Sequence, residues 1–97
     1  MTTIKLNQYG AVLTGREFGA DVMKGLSEQV SPPICLDFEG VESLGSSFGD
    51  EVIPILAAKQ QNAIEIKNAN ATVKATLRDI ASDAGIQINW VNASSEE

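Results

Sequence analysis

Ninety-seven residues are enough for one domain with one core. Seven Lys and Arg against thirteen Asp and Glu leave a net charge of −6, which argues against a phosphate-backbone binder and against docking on anionic membranes. The chain has no His, which excludes Ser-His-Asp and Cys-His nucleophile systems, HExxH zinc sites and histidine phosphocarriers.

No run approaches eighteen apolar residues, so no membrane span is expected. The opening residues lack a basic segment leading into an apolar one, so no signal peptide is expected. The single Cys35 has no partner for an internal disulfide, and the default compartment is cytoplasmic.

In chain order, Ile4 and Leu6 alternate with Thr3, Lys5 and Asn7, a short strand pattern. Tyr9-Gly10 reads as a turn, with Ala11-Val12-Leu13 as the return strand of a hairpin. Thr14-Gly15-Arg16-Glu17 has capping-box spacing and opens a helix whose stripe is Phe18, Val22, Met23 and Leu26, running to about Gln29. Gly19 and Gly25 each weaken that helix, so packing must either compensate or exploit their small size. Ser31-Pro32-Pro33 ends it.

Ile34-Cys35-Leu36-Asp37-Phe38 is apolar on both faces up to Asp37 and reads as a central strand. A loop over 39–45 leads to Ser46-Ser47 and a second helix with Phe48, Val52, Ile55 and Leu56 on one face. Pro54 inside it predicts a bend or an unpaired carbonyl. Residues 63–67 alternate as a strand. Asn70 caps a third helix with the stripe Val73, Leu77, Ile80, Ala81 and Ala84, and Gly85 stops it. Residues 87–91 form a last strand.

Strands alternating with helices predict an α/β domain over 1–92, with a mixed four- to five-stranded sheet and about three helices. Residues 93–97 read as a flexible acidic tail. In this arrangement the loop after Asp37 lies at the carboxyl end of a central strand, where open α/β sheets usually carry their sites.

Thr14-Gly15-Arg16, then Asp37-Phe38-Glu39-Gly40-Val41, then Ser46-Ser47-Phe48-Gly49-Asp50-Glu51 resemble the STAS domain. They are closer to its bacterial STAS-like branch of unknown function. The element order resembles that family over about residues 3–91. In the related anti-sigma factor antagonists, the second Ser of an Asp-Ser-Ser-Gly segment opens a helix and is phosphorylated by a partner kinase. By position, the resemblance implies Ser47 as phosphoacceptor with Ser46 before it. Gly45 stands where that motif has Asp, and Phe48 where it has Gly. It also implies a partner of the histidine-kinase-like ATPase type.

The residues themselves leave two uses open for Ser47. It is either a helix N-cap, since Ser47 and Asp50 have capping-box spacing, or a hydroxyl placed where helix amides would stabilise an added phosphate. Asp37, Glu39, Glu42, Asp50 and Glu51 gather five carboxylates around one loop. They read as solvated helix-start acids or as an acidic rim for a basic partner. No calcium-loop pattern is present, and neither metal nor cofactor is expected.

Arg16 in a first helical turn opposes the dipole. It is expected either to pair with Asp37 or Glu39 or to reach a partner. Phe48, at the edge of its stripe, is also a candidate partner contact. Cys35 reads as a buried, inert thiol.

The leading expectation is a regulatory protein–protein interaction module, not an enzyme. It would bind through residues 39–51 and Arg16 and be switched by charge at Ser47. The alternatives are an acidic inhibitor filling the basic groove of a nucleic-acid enzyme, and a carboxylate- or metal-dependent enzyme using Asp37 with Asp50 or Glu51.

Overall fold

The structure is a computed structural model, and it describes residues 2–26 and 30–91. The expected tail at 93–97 and the helix end near Gln29 lie outside the described residues.

Six strands and three helices alternate along the chain. They are β1 (Thr2–Lys5), β2 (Val12–Leu13), α1 (Arg16–Leu26), β3 (Ile34–Asp37), β4 (Ser43–Leu44), α2 (Ser46–Ala58), β5 (Ala63–Lys67), α3 (Ala71–Ala84) and β6 (Gln87–Val91). The expected α/β class with three helices holds. The main sheet has the order β1-β3-β5-β6, and all its pairings are parallel rather than mixed.

Because the order runs one way, same-handed crossovers place every helix on the same face. The apolar cluster accordingly takes Ile4, Ile34, Leu36, Ile64, Ile66 and Ile88 from one face of the sheet. The register places Thr3, Cys35, Glu65 and Asn89 together on the other face, with Lys5, Asp37, Lys67 and Val91 beside them. β5 alternates half-buried and buried, as a sheet covered on one side should. All four residues of β3 are buried, Ile34, Cys35 and Leu36 as the sequence predicts and Asp37 against the expectation of an outward-facing acid. α1 packs on α2, and α2 on α3, in one layer.

The expected hairpin is not formed. Leu6–Tyr9 makes a 3-10 turn, and β2 pairs in parallel with β4 instead of returning along β1. The 3-10 turn takes the place of the tight two-residue reversal that a hairpin needs, so β2 finds its ladder partner in β4. β4 itself falls in a segment that reads from sequence as loop.

α2 continues through Pro54. Proline has no amide to donate, so the Asp50 carbonyl loses its helical partner, and Asp50 lies exposed. Ile55 does not join the core: it is 45% exposed, and Ile53 is buried in its stead. Asn70 caps α3 by accepting from the Val73 amide at 2.8 Å, and Gly85 closes it in the left-handed region at φ 70°.

Candidate functional site at the paired helix starts

The small β2–β4 ladder brings two helix starts together. Val12 pairs with Ser43 and Leu13 with Leu44. Flanking the ladder, the Glu42 amide donates to the Ala11 carbonyl at 2.7 Å on one side and the Gly45 amide to the Leu13 carbonyl at 2.8 Å on the other. The two strands then turn outward into α1 and α2 side by side. A Cβ on Gly45 would lie 3.0 Å from Thr14 Cγ2, so a larger residue would push the two starts apart.

Neither start is capped as its sequence predicts. α1 begins at Arg16, with Gly15 before it at φ +98° and the Gly15 carbonyl accepting from the Gly19 amide at 3.1 Å. Glu17 is therefore the second helical residue, one place too early for a box with Thr14. α2 begins at Ser46, and its N-cap is Gly45, which has no side chain to bond. Ser47 is thus inside the helix and is not its cap. Ser46 and Ser47 are both exposed, on a first turn whose amides have no partner within the helix.

Asp50 and Glu51 stand one turn beyond Ser47, on the side of α2 that i, i+3 and i, i+4 spacing shares with it. Asp50 is exposed and Glu51 half-buried. Arg16 Nε lies 3.9 Å from Glu51 Oε2, with the arginine side chain 77% exposed. The pairing of Arg16 with Asp37 or Glu39 is not made. α1 starts beside α2, not over the end of β3, so the nearest acid is on the neighbouring helix. An exposed pair at this distance contributes little to stability, and its guanidinium stays available.

Asp37 is the one charged side chain buried among the described residues, at 4% exposed. Its Oδ1 accepts from Asn68 Nδ2 at 2.9 Å and from the Glu39 amide at 3.0 Å. Burial alone pushes the carboxyl up. The Asn68 and Glu39 hydrogen bonds, helped by the charges of Lys67 and Lys5, outweigh burial and hold it below the usual carboxylate range. Asp37 is therefore a structural anion and presents nothing outward.

Past Asp37, the Val41 amide donates to the Phe38 carbonyl at 3.0 Å, and Gly40 has φ +84°. This is a type II turn that needs glycine at its third position. It leaves Glu39 and Glu42 exposed on either side of buried Val41. Asn70 Nδ2 holds the far side of the loop by donating to the Glu42 carbonyl at 3.1 Å and the Val41 carbonyl at 3.3 Å.

Phe48 is buried, 1% exposed, with its ring centroid 5.2 Å from that of Phe18 in an edge-on arrangement. It cannot touch a partner directly, because its ring is enclosed between the packed helices. Cys35 is buried as expected, and burial pushes its thiol up, away from the reactive thiolate.

Sequence reasoning missed three contributors to the site. Asn68, in the left-handed region at φ 62°, locks Asp37. Asparagine tolerance of that region was its only visible signal. The second amide function of Asn70 was hidden behind its cap. The third is an apolar groove of about 240 Å³ between α1 and α2, lined by Ala20, Met23, Lys24, Glu51 and Ile55. It adjoins Glu51, and exposed Ile55 forms part of its wall.

A family model described as a STAS-like domain of unknown function (DUF4325) matches residues 15–74. The chain belongs to that family. The matched span of this STAS-like domain runs from the start of α1 into α3, and it contains Arg16, both serines, all five carboxylates and both asparagines. No curated protein and no solved structure matches this chain. Among the described residues, no three His, Cys, Asp or Glu side chains come together to hold a metal ion, and no helix is long and apolar enough to cross a membrane.

Proposed function

We propose that this STAS-like domain is a regulatory interaction module that docks a protein partner on the paired helix starts. The observation that carries this reading is that Ser47 is exposed and is not the helix cap, one turn before Asp50 and Glu51, the latter 3.9 Å from the exposed Arg16. A cap serine would already be committed to the helix backbone, and this one is free. In this reading Glu39, Glu42, Asp50 and Glu51 form an acidic rim that steers a basic partner surface. The groove beside Ile55 takes an apolar side chain. Phe48 and Asp37 hold the platform from beneath.

The partner of choice is a histidine-kinase-like ATPase, as the resemblance to anti-sigma factor antagonists implies. Such a partner could also set the switch. Transfer of a phosphoryl group from ATP to Ser47 Oγ, with loss of the hydroxyl proton and departure of ADP, adds about −1.5 to −2 charges. The free amides of the first turn of α2 and the nearby Arg16 would stabilise that phosphate. The same charge would repel any carboxylate of the partner seated there and would draw Arg16 away from Glu51.

The test is capture with the wild-type chain and the Ser47→Asp and Ser47→Ala variants side by side, read by mass spectrometry. Capture of an ATPase-type protein by wild type and Ser47→Ala, lost with Ser47→Asp, supports the switch. Equal capture by all three removes the switch but keeps the acidic rim, and charge reversal at Asp50 and Glu51 then decides the docking face. Absence of specific capture by any form removes the reading.

A further inference from the structure

The edge of the sheet opposite β1 is β6, and its character is unusual. Among the described residues it pairs only with β5. Its sequence, Gln87-Ile88-Asn89-Trp90-Val91, has no charge, no proline and no glycine. Charge and proline are devices by which proteins ordinarily blunt an open edge, and the other edge strand does carry Lys5. Four of the five residues of β6 are exposed, with Trp90 at 40% and Val91 at 38%.

The electrostatics point the same way. The chain has a net charge of −6, yet the segment 71–91 holds two basic and two acidic residues and is neutral. A neutral segment can meet its own copy without the repulsion that the net charge of the whole chain would bring. Lys74 Nζ lies 5.7 Å and the Arg78 guanidinium 5.6 Å from the centre of the Trp90 ring, which fixes the indole at the strand edge.

The strand is also complementary to itself. A twofold axis perpendicular to the sheet keeps the helices of both copies on the same face. Centred on Asn89, it pairs all five residues of β6 antiparallel: Asn89 with Asn89 of the second copy, Ile88 with Trp90, and Gln87 with Val91. Ile88 and Trp90 lie on the helix side, because their register partners are the core residues Ile64 and Ile66. The pair is thus an aromatic against a β-branched residue on a half-buried face, a favoured cross-strand combination. Within the strand itself no charge meets a like charge.

We propose that β6 is the pairing edge of a homodimer, in which two copies join their sheets into one continuous sheet through this register. The dimer edge lies outside the span that carries the candidate partner site, so the two readings stand or fall separately.

Trp90 is the sole tryptophan of the chain and reports directly on the edge. Sedimentation velocity across a wide concentration range is expected to show mass rising from one chain to two. Trp90 emission should shift to the blue over the same range. Asn89→Lys places two ammonium groups opposite each other across the axis, and it should hold the chain at monomer mass. Its new charge falls beside Glu65 on the open face, so folding is preserved, which circular dichroism checks.

Asn89→Cys and Val91→Cys, each under mild oxidation, test the register. In the first variant the two introduced thiols face each other across the axis, within disulfide reach. In the second they are offset along the strands by about 14 Å. Crosslinking of the Asn89→Cys variant and not of Val91→Cys is the expected result. A monomer at every concentration overturns the proposal. So does a dimer that Asn89→Lys leaves intact, or one that crosslinks through Val91→Cys in place of Asn89→Cys.

Discussion

Between α1 and α2 the backbones approach so closely that a methyl group at Gly19 would lie 2.8 Å from the Phe48 carbonyl oxygen and 2.9 Å from Glu51 Cβ. Further along the same helix, a methyl group at Gly25 would meet nothing within 4 Å among the described residues. From sequence the two glycines look alike, each a weak point in a helix. Tertiary packing makes one the condition for a helix seam and leaves the other a simple loss of propensity. The seam at Gly19 sits under the candidate site: it sets how near Arg16 comes to Glu51, and it covers Phe48. Among the described residues, nothing packs against Gly25 in the same way.

The largest effect that sharpens this contrast is Phe48→Ala. Loss of a fully buried ring between the two helices should cost about 3–5 kcal/mol. Urea unfolding followed by circular dichroism reads it, and a cost below about 1 kcal/mol would mean that the α1–α2 seam does not depend on this ring. Gly19→Ala comes next. Overpacking against a backbone carbonyl should cost about 1–3 kcal/mol despite the better helix propensity of alanine, and an unchanged midpoint would break the comparison with Gly25.

Asn68→Gly keeps the left-handed backbone and removes only the donor to Asp37. It should cost about 1 kcal/mol at neutral pH. The sign of its pH dependence follows from linkage. Asp37 binds its proton less tightly folded than unfolded, so its contribution is present above the ordinary carboxylate range. It is lost as pH falls through that range to the lower folded value. The difference between wild type and Asn68→Gly should therefore shrink on acidification, and a difference that is constant with pH would show that Asn68 acts through the backbone alone. The smallest effect is Gly25→Ala, which should raise stability by about 0.4–1 kcal/mol. A loss there would mean that the far end of α1 is packed after all.

Much of the fold was legible because local chemistry and global fold agree in it. The apolar run Ile34–Leu36 could only be a buried strand, Asn70 and Gly85 punctuate α3 where their side chain and backbone freedom demand, and the 63–67 alternation matches a sheet covered on one face. The candidate site was legible as a set of residues but not as a geometry. Ser46, Ser47, Asp50 and Glu51 share a helix start by spacing alone. That Asp37 and Phe48 are sequestered, and that Ile55 lines a groove, depends on which elements lie above them.

The sequence by itself determined the three helices, the strands β1, β3, β5 and β6, the α/β class and the absence of histidine chemistry, because these follow from periodicity, composition and the conformational limits of single residues. Only the tertiary structure decided that β2 pairs with β4, that Arg16 meets Glu51, that Ser47 is not the helix cap, and that Gly19, unlike Gly25, lies in a close helix seam. Each of these depends on how segments far apart in the chain come together. Such contacts are fixed by the one-way strand order and the close seam of α1 and α2, which no local pattern encodes.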